Sequence, residues 1–184
     1  MSYLRQHRLY VHPTLAVTPD GVPLGVLDAW LWTRDRETFG EDKRHWPIEA
    51  KESMRWLEGF ERCAERAATL SNTRWVYVAD RECDIHEFML RAQGHPQVDW
   101  LIRAAQDRKL TEGDTLWNRL AGAPVRGEVT FTLPARPHQP SRLVVLTVRA
   151  ERVTLHPKGG DPVSVTALRA REETPLRKPW SFIP

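Results

Sequence analysis

The sequence has few cysteines and no long apolar run. Cys63 and Cys83 are its only cysteines among 184 residues, and they lack the spacing of a metal site or a disulfide framework. No apolar run approaches the ~20 residues that a membrane-spanning helix requires. The segment Met1–Arg8 has no apolar core of the kind that a signal peptide carries. These absences predict a cytoplasmic protein with reduced thiols and no membrane association.

Several catalytic signatures are absent as well. There is no glycine-rich phosphate loop and no Gly-x-Ser-x-Gly motif, which excludes the nucleotide-binding and hydrolase classes that those motifs define. His86-Glu87 begins like a zincin motif, but Leu90 occupies the position of the second histidine. The seven histidines show no ligand spacing.

Charge is distributed unevenly along the chain. Residues 1–99 hold 13 Lys and Arg against 16 Asp and Glu, whereas residues 100–184 hold 14 against 8. Most of the basic residues are arginines, which suit bidentate contact with phosphate. An acidic half and a basic half fit a metal-dependent nucleic-acid enzyme, and they also fit an ordinary solvated surface.

The first part of the chain predicts an α/β arrangement. Leu9–Thr18 and Val22–Trp32 are predicted strands of a hairpin, because Pro19-Asp20-Gly21 between them is a turn sequence. Pro13 predicts an edge or bulge position in the first strand. We then expect a helix opened by Pro47, a strand at Trp75–Ala79 buried on both faces, a helix at Ile85–Gln93, and a strand at Asp99–Ala105.

From Thr115 onward the pattern changes to short β-type runs. Gly159-Gly160-Asp161 is one clear turn among them. The predicted strands are Glu128–Leu133, Arg142–Ala150, Val153–His156 and Val163–Leu168. We therefore expect a β-rich part joined to the α/β part.

An acidic turn follows the predicted strand Trp75–Ala79. Asp80 comes directly after the apolar run, where open α/β sheets place their ligands. This position makes Asp80 a candidate metal ligand, because two-metal phosphoryl transfer uses converging carboxylates. Glu82 reads as a solvated turn residue, and Asp84 lies three residues before Glu87 in a capping-box pattern at the start of the next helix.

Five segments of the chain follow the order and spacing of motifs in one known family. Asp80-Arg-Glu-Cys-Asp-Ile85 is similar to a D-R-E-x-D-I turn, and Lys51-Glu52-Ser53 with Trp56-Leu57 is similar to a K-E-S-x-x-W-L segment. The remaining similar segments are Leu9–Thr18, Pro23–Asp28 and Asp99–Arg103. Together they resemble the Tn-five-like DDE transposases of the insertion-sequence-four group, and the resemblance runs from about Arg8 to Leu176.

The resemblance implies a fold and an activity. The fold would be an RNase H-like α/β core over residues 1–110, incomplete because its first strand is missing, with a β-rich insertion at 111–176 and a divergent tail at 177–184. The activity would be cut-and-paste DNA transposition, in which Mg²⁺ supports nicking and strand transfer at transposon ends. Asp80 would be the second catalytic aspartate and a metal ligand, and Arg103 would contact DNA phosphate.

The departures from the family are equally informative. The family's first catalytic aspartate lies on a strand before the matched segment. Its catalytic glutamate lies on a later helix with the pattern Tyr-x-x-Arg-x-x-Glu. This chain would therefore supply one carboxylate of three and would not cleave DNA alone. The family's dimerisation helices and N-terminal DNA-binding region are also expected to be absent.

The sequence is compatible with three interpretations. The first is an inactive transposase fragment, produced by truncation, a frameshift or a misread sequence, in which the hairpin and the Asp80 strand would lack a shared neighbour. The second is a small metal nuclease that uses Asp80, Glu82 and Asp84. The third is a non-catalytic module whose basic half binds nucleic acid or a partner.

Overall fold

The computed structural model describes residues 9–33, 47, 51–137, 139–157 and 160–173. Within these residues the protein is a mixed α/β structure. The chain divides into two compact units, Met1–Ala105 and Gln106–Pro184, called unit 1 and unit 2 below. No helix in the described ranges is both long enough and apolar enough to cross a membrane.

A β-hairpin opens unit 1. Strand β1 (Leu9–Val17) pairs with β2 (Pro23–Thr33) in antiparallel fashion. The amide of Gly21 donates to the carbonyl of Thr18 at 2.9 Å, and Gly21 has a φ of 83°, which glycine accepts without strain. The predicted hairpin and its turn are therefore confirmed. Pro13 lies just before a register shift between Thr14 and Leu15, in agreement with the predicted bulge or edge.

Helix α1 spans Met54–Thr69 and begins seven residues after Pro47. The prediction that Pro47 opens this helix is wrong, because Lys51–Ser53 form a turn and Pro47 has no helical conformation. The helix starts where its apolar period starts. Its buried face contains Trp56, Leu57, Gly59, Phe60, Cys63, Ala64 and Ala67.

A parallel strand pair follows α1. Strand β3 (Trp75–Ala79) pairs with β4 (Val98–Ile102), and the chain between them forms a 3-10 turn (Arg81–Cys83) and helix α2 (His86–Gln93). The predicted helix is confirmed, and β4 ends three residues before the predicted Ala105. The buried face of this strand pair packs on α2 through aromatic rings. The centroid of the Phe88 ring lies 5.8 Å from that of Tyr77 and 6.0 Å from that of Trp100.

The other face of β3 is exposed. Val76 and Val78 are 49% and 68% accessible, so the prediction of a strand buried on both faces is wrong. The physical reason is that the sheet has two strands and packs on helices through its Tyr77 face, while no described element covers the opposite face. The hairpin shows the same asymmetry, with Leu9, Val11 and Leu31 exposed on its outward face.

The two sheets of unit 1 are separate. Strand β1 pairs with β2, strand β3 pairs with β4, and no ladder joins the two pairs within the described ranges.

Unit 2 contains one antiparallel sheet and one short helix. Strands β5 (Val125–Leu133), β6 (Arg142–Leu155) and β7 (Val163–Arg171) are joined in that order, and helix α3 spans Leu116–Gly122. Its buried apolar residues are Leu110, Leu116, Leu120, Ala123, Val144, Val153, Leu155 and Val163.

Two sequence predictions for unit 2 need correction. Helix α3 falls where only short β-type runs were expected, because Leu116 and Leu120 bury one helical face. The predicted strands Arg142–Ala150 and Val153–His156 are one continuous strand, because the intervening Glu151 and Arg152 continue the ladder with β7. Part of the predicted glycine turn, Gly159, lies outside the described residues.

Candidate functional site

Asp80 lies at the carboxyl end of β3 and is exposed to solvent. Its Oδ1 accepts a hydrogen bond from the amide of Glu82 at 2.9 Å, and its carbonyl accepts one from the amide of Cys83 at 3.1 Å. The side chain therefore caps the 3-10 turn while it remains at the rim of the sheet. An exposed carboxylate at this edge can bind a cation or orient a water molecule.

Arg103 lies beside Asp80 in the fold. Ala79 pairs with Ile102 in the parallel ladder, and the amide of Arg103 donates to the carbonyl of Ala79 at 3.1 Å. The two predicted site residues therefore follow neighbouring strands at the same edge of the sheet, and both are exposed. A carboxylate and a guanidinium so placed could contact a metal ion and a phosphate of one substrate.

Glu82 is held by an ion pair with Arg55 of α1. Arg55 also donates through Nη1 to the carbonyl of Glu52 at 2.7 Å, and its guanidinium lies 5.2 Å from the ring centroid of Trp32. These contacts direct Glu82 towards α1 and away from a shared ligand set with Asp80.

Asp84 is buried, and its role differs from the predicted one. Its Oδ2 accepts a hydrogen bond from the amide of Ala105 at 2.8 Å. The N-cap of α2 is Ile85, which makes no side-chain cap, so the capping-box prediction is wrong. The Asp84 side chain points to the segment after β4 and fixes it, because a buried carboxylate requires hydrogen-bond partners.

His12 is a neighbour of this site that the sequence did not indicate. It lies on the inner face of β1, where its ring contacts the Trp56 ring edge-on at a centroid distance of 4.3 Å. Burial, followed by the positive charge of Arg55, lowers the pKa of His12, while the charges of Glu82, Asp80 and Asp28 oppose the shift. Alternation along β1 could have placed His12 on the inner face, but only the fold brings it near the acidic turn.

The described residues do not fit a pair of Mg²⁺ ions. Mg²⁺ requires near-octahedral oxygen coordination, and two-metal catalysis places its ions ~4 Å apart between several carboxylates. Glu82 and Asp84 are engaged elsewhere, and no group of three or more His, Cys, Asp or Glu side chains within the described ranges is arranged to hold a metal. Asp80 is the carboxylate of the acidic turn that remains available.

The two thiols do not add chemistry to this site. Both are buried, and burial raises the pKa of Cys83 to about 12 and also raises that of Cys63. A buried thiol with a raised pKa is a poor nucleophile and a poor metal ligand.

Comparison with known proteins adds no family assignment. The sequence matches no protein-family model, and it has no significant match among curated proteins.

Proposed function

We propose that this chain is the central part of a DDE-type DNA transposase core and that it does not cleave DNA by itself. The observation that carries the proposal is the position of Asp80 and Arg103 at adjacent carboxyl ends of the parallel strands β3 and β4. Sheets of this kind bind ligands at that edge. DNA and Mg²⁺ would be the partner and the cofactor of the intact enzyme.

The positions of the family-like segments support the proposal. Asp80–Ile85 connects β3 to α2, where a turn can deliver a carboxylate. Lys51–Ser53 forms the turn before α1, and Trp56 and Leu57 begin the buried face of that helix. Both segments lie next to the start of a helix, and these positions support the proposal.

The exposed apolar faces of unit 1 also support a larger core. Val76 and Val78 on β3 and Leu101 on β4 lie on one face, because Val78 and Leu101 are register partners. Large exposed apolar patches commonly mark surfaces that another element or partner covers. This is the surface expected of a sheet that belongs to a layered α/β core.

The available chemistry supports inactivity in isolation. Asp80 can contribute one ligand to a metal, whereas phosphoryl transfer needs further carboxylates to activate the nucleophile and stabilise the leaving oxygen. Nothing else at the acidic turn replaces them, since Glu82 is paired with Arg55 and Asp84 is buried against Ala105.

The first test is a DNA nicking assay with the pure 184-residue protein, supercoiled plasmid and Mg²⁺ or Mn²⁺. We expect no nicking above the level of a buffer control. Metal-dependent nicking that Asp80→Asn abolishes would overturn the proposed inactivity and favour an independent nuclease.

The second part of the test is to sequence the DNA that flanks the reading frame, in all frames. We expect an upstream strand that ends in aspartate and a downstream helix with Tyr-x-x-Arg-x-x-Glu. Expression of the joined chain should then restore nicking that requires Asp80. Asp99→Asn is the matched control, because Asp99 is an exposed acid on β4 that pairs with Arg74. Unrelated flanking sequence would overturn the proposal.

A further inference from the structure

Three arginines line a shallow depression on the sheet of unit 2. Arg149 of β6 and Arg169 of β7 are direct register partners, and Arg171 lies beside Thr147 in the same ladder. The depression has a volume of about 180 Å³. Its lining residues are Ala121, Thr147, Arg149, Arg169, Arg171 and Glu173.

The arrangement is electrostatically unfavourable for the sheet alone. Like charges directly opposite each other on neighbouring strands destabilise a ladder, as with Arg149 and Arg169. Glu173 is the one acidic residue in the lining. Arg149 donates to the carbonyl of Ala123 at 2.7 Å, and within the described ranges no carboxylate forms an ion pair with Arg169 or Arg171.

Two other arginines of the same unit are paired with carboxylates. Arg119 pairs with Glu112, Asp114 and Glu151, and Arg142 pairs with Glu172. Because Arg169 and Arg171 form no such pair within the described ranges, their guanidinium groups are available to an external anion.

The size of the depression and the spacing of its arginines indicate the class of ligand. It is smaller than the ~300–1,000 Å³ of pockets for organic ligands, so it suits a compact oxyanion. Arginine forks match phosphate oxygens, and the Thr147 hydroxyl can donate a further hydrogen bond. Arg169 and Arg171 lie about 7 Å apart along β7, so they suit two linked phosphates better than one.

We propose that Arg149, Arg169 and Arg171 form a binding site for the phosphodiester backbone of DNA. This inference rests on the proposed function in that the ligand is DNA, but it requires neither Asp80 nor a metal. The surplus of positive charge in residues 106–184, with 13 Lys and Arg against 8 Asp and Glu, favours a polyanion over a protein partner. The three arginines extend from strands β6 and β7. Val153 of β6 and Val163 of β7 are buried, so the packed core holds the backbone of these strands in place.

The test measures binding of the full chain to a short fluorescein-labelled DNA duplex by anisotropy over a salt series. The double variant Arg169→Gln with Arg171→Gln should bind about tenfold or more weakly at low salt. It should also reduce the slope of log affinity against log salt by about two, because each phosphate contact contributes ~0.9. Arg152→Gln is the matched control, since Arg152 is an exposed arginine of β6 on the opposite face of the sheet.

Each outcome has a defined meaning. Circular dichroism and thermal unfolding should show the double variant folded, and Arg169→Lys with Arg171→Lys should retain the salt slope. Equal loss in the Arg152→Gln control would show general charge attraction and overturn the site. Unchanged binding in the double variant would overturn the site while leaving a DNA-binding transposase core intact.

A second titration, with inorganic pyrophosphate, tests whether the site binds two linked phosphates without binding DNA. Pyrophosphate binding without DNA binding would overturn the assignment to a phosphodiester backbone. Failure of the nicking and flanking-sequence tests, with site-dependent DNA binding retained, would instead overturn the transposase proposal alone.

Discussion

The two units differ in how their arginines are grouped. In unit 1, several arginines of the helices pair with carboxylates, as Arg55 does with Glu82, Arg62 with Asp28 and Arg91 with Glu61. In unit 2, Arg119 and Arg142 are also paired, whereas Arg169 and Arg171 line one depression and form no ion pair within the described ranges. Exposed ion pairs contribute little to stability. Their main consequence is that some charged side chains are neutralised while others stay unpaired. The difference leaves Asp80 available in unit 1 and guanidinium groups available in unit 2.

The units are alike in that each leaves apolar side chains of its sheet exposed. Val76 and Val78 of β3 are exposed in unit 1, and Val129, Leu143 and Val145 are exposed on β5 and β6 of unit 2. Exposed apolar patches commonly mark surfaces that another element or a partner covers. The exposed sheet faces therefore do not distinguish one unit from the other.

The largest expected effect is a loss of stability in the core of unit 1 that leaves the core of unit 2 unchanged. Phe60→Ala should destabilise unit 1 by about 3–5 kcal/mol, because Phe60 is buried against Tyr77 and Phe88. Peptide-resolved hydrogen exchange should show the loss in residues 51–105 and little change in β6. Val78→Ala is the matched control, since its side chain is 68% exposed and should change stability by less than about 0.5 kcal/mol. Equal loss of protection in β6 would show that the units unfold together.

A smaller effect is expected at Asp84. Asp84→Ala should cost about 1–3 kcal/mol, because it removes the charge-assisted hydrogen bond that the Ala105 amide donates to this buried carboxylate. Asp84→Asn keeps an acceptor oxygen and should cost less. Hydrogen exchange should increase at Ala105 and the end of β4. An increase confined to the first turn of α2 would instead restore the capping interpretation.

The smallest expected effect is a difference in alkaline stability. Unit 2 contains no cysteine or tyrosine, whereas burial in unit 1 raises the pKa of Cys83 from 9.0 to about 12 and also raises that of Tyr77. The folded state retains protons that the unfolded chain loses, so this stability is complete below pH 9 and declines as the pH rises towards 12. Cys83→Ala should flatten the decline by at most about 1.4 kcal/mol per pH unit.

Chemical denaturation at a series of alkaline pH values measures this decline for each unit. An equal decline in unit 2 would contradict the assignment to the buried thiol and phenol.

The sequence predicted those parts of the fold that depend on local pattern. The hairpin follows from Pro19-Asp20-Gly21 between apolar runs, and α2 follows from its helical period and the glycine at its end. The boundary of α1 was missed because Pro47 is a strong helix-start signal, whereas the turn at Lys51–Ser53 has none. Helix α3 was missed because seven residues give too short a period to recognise.

The candidate site likewise contains residues that the sequence predicted and contacts that it did not predict. Asp80 was found because an apolar strand ends directly before it, and Arg103 was indicated by the family resemblance. The pairing of Asp84 with Ala105 was not predictable, because it joins residues 21 positions apart through the packing of a loop. The arginine depression depends on strand register, which sequence alone does not specify between β6 and β7.

The sequence by itself determined the hairpin, the strand–helix–strand segment that contains β3, α2 and β4, the place of the acidic turn, and the surplus of positive charge in the second half. These properties depend on neighbours along the chain. The tertiary structure decided which faces are buried, that Asp80 and Arg103 share one edge, that Glu82 and Asp84 are engaged elsewhere, and that three arginines meet in one depression. Burial and register arise from contacts between distant residues, so only the folded chain could settle them.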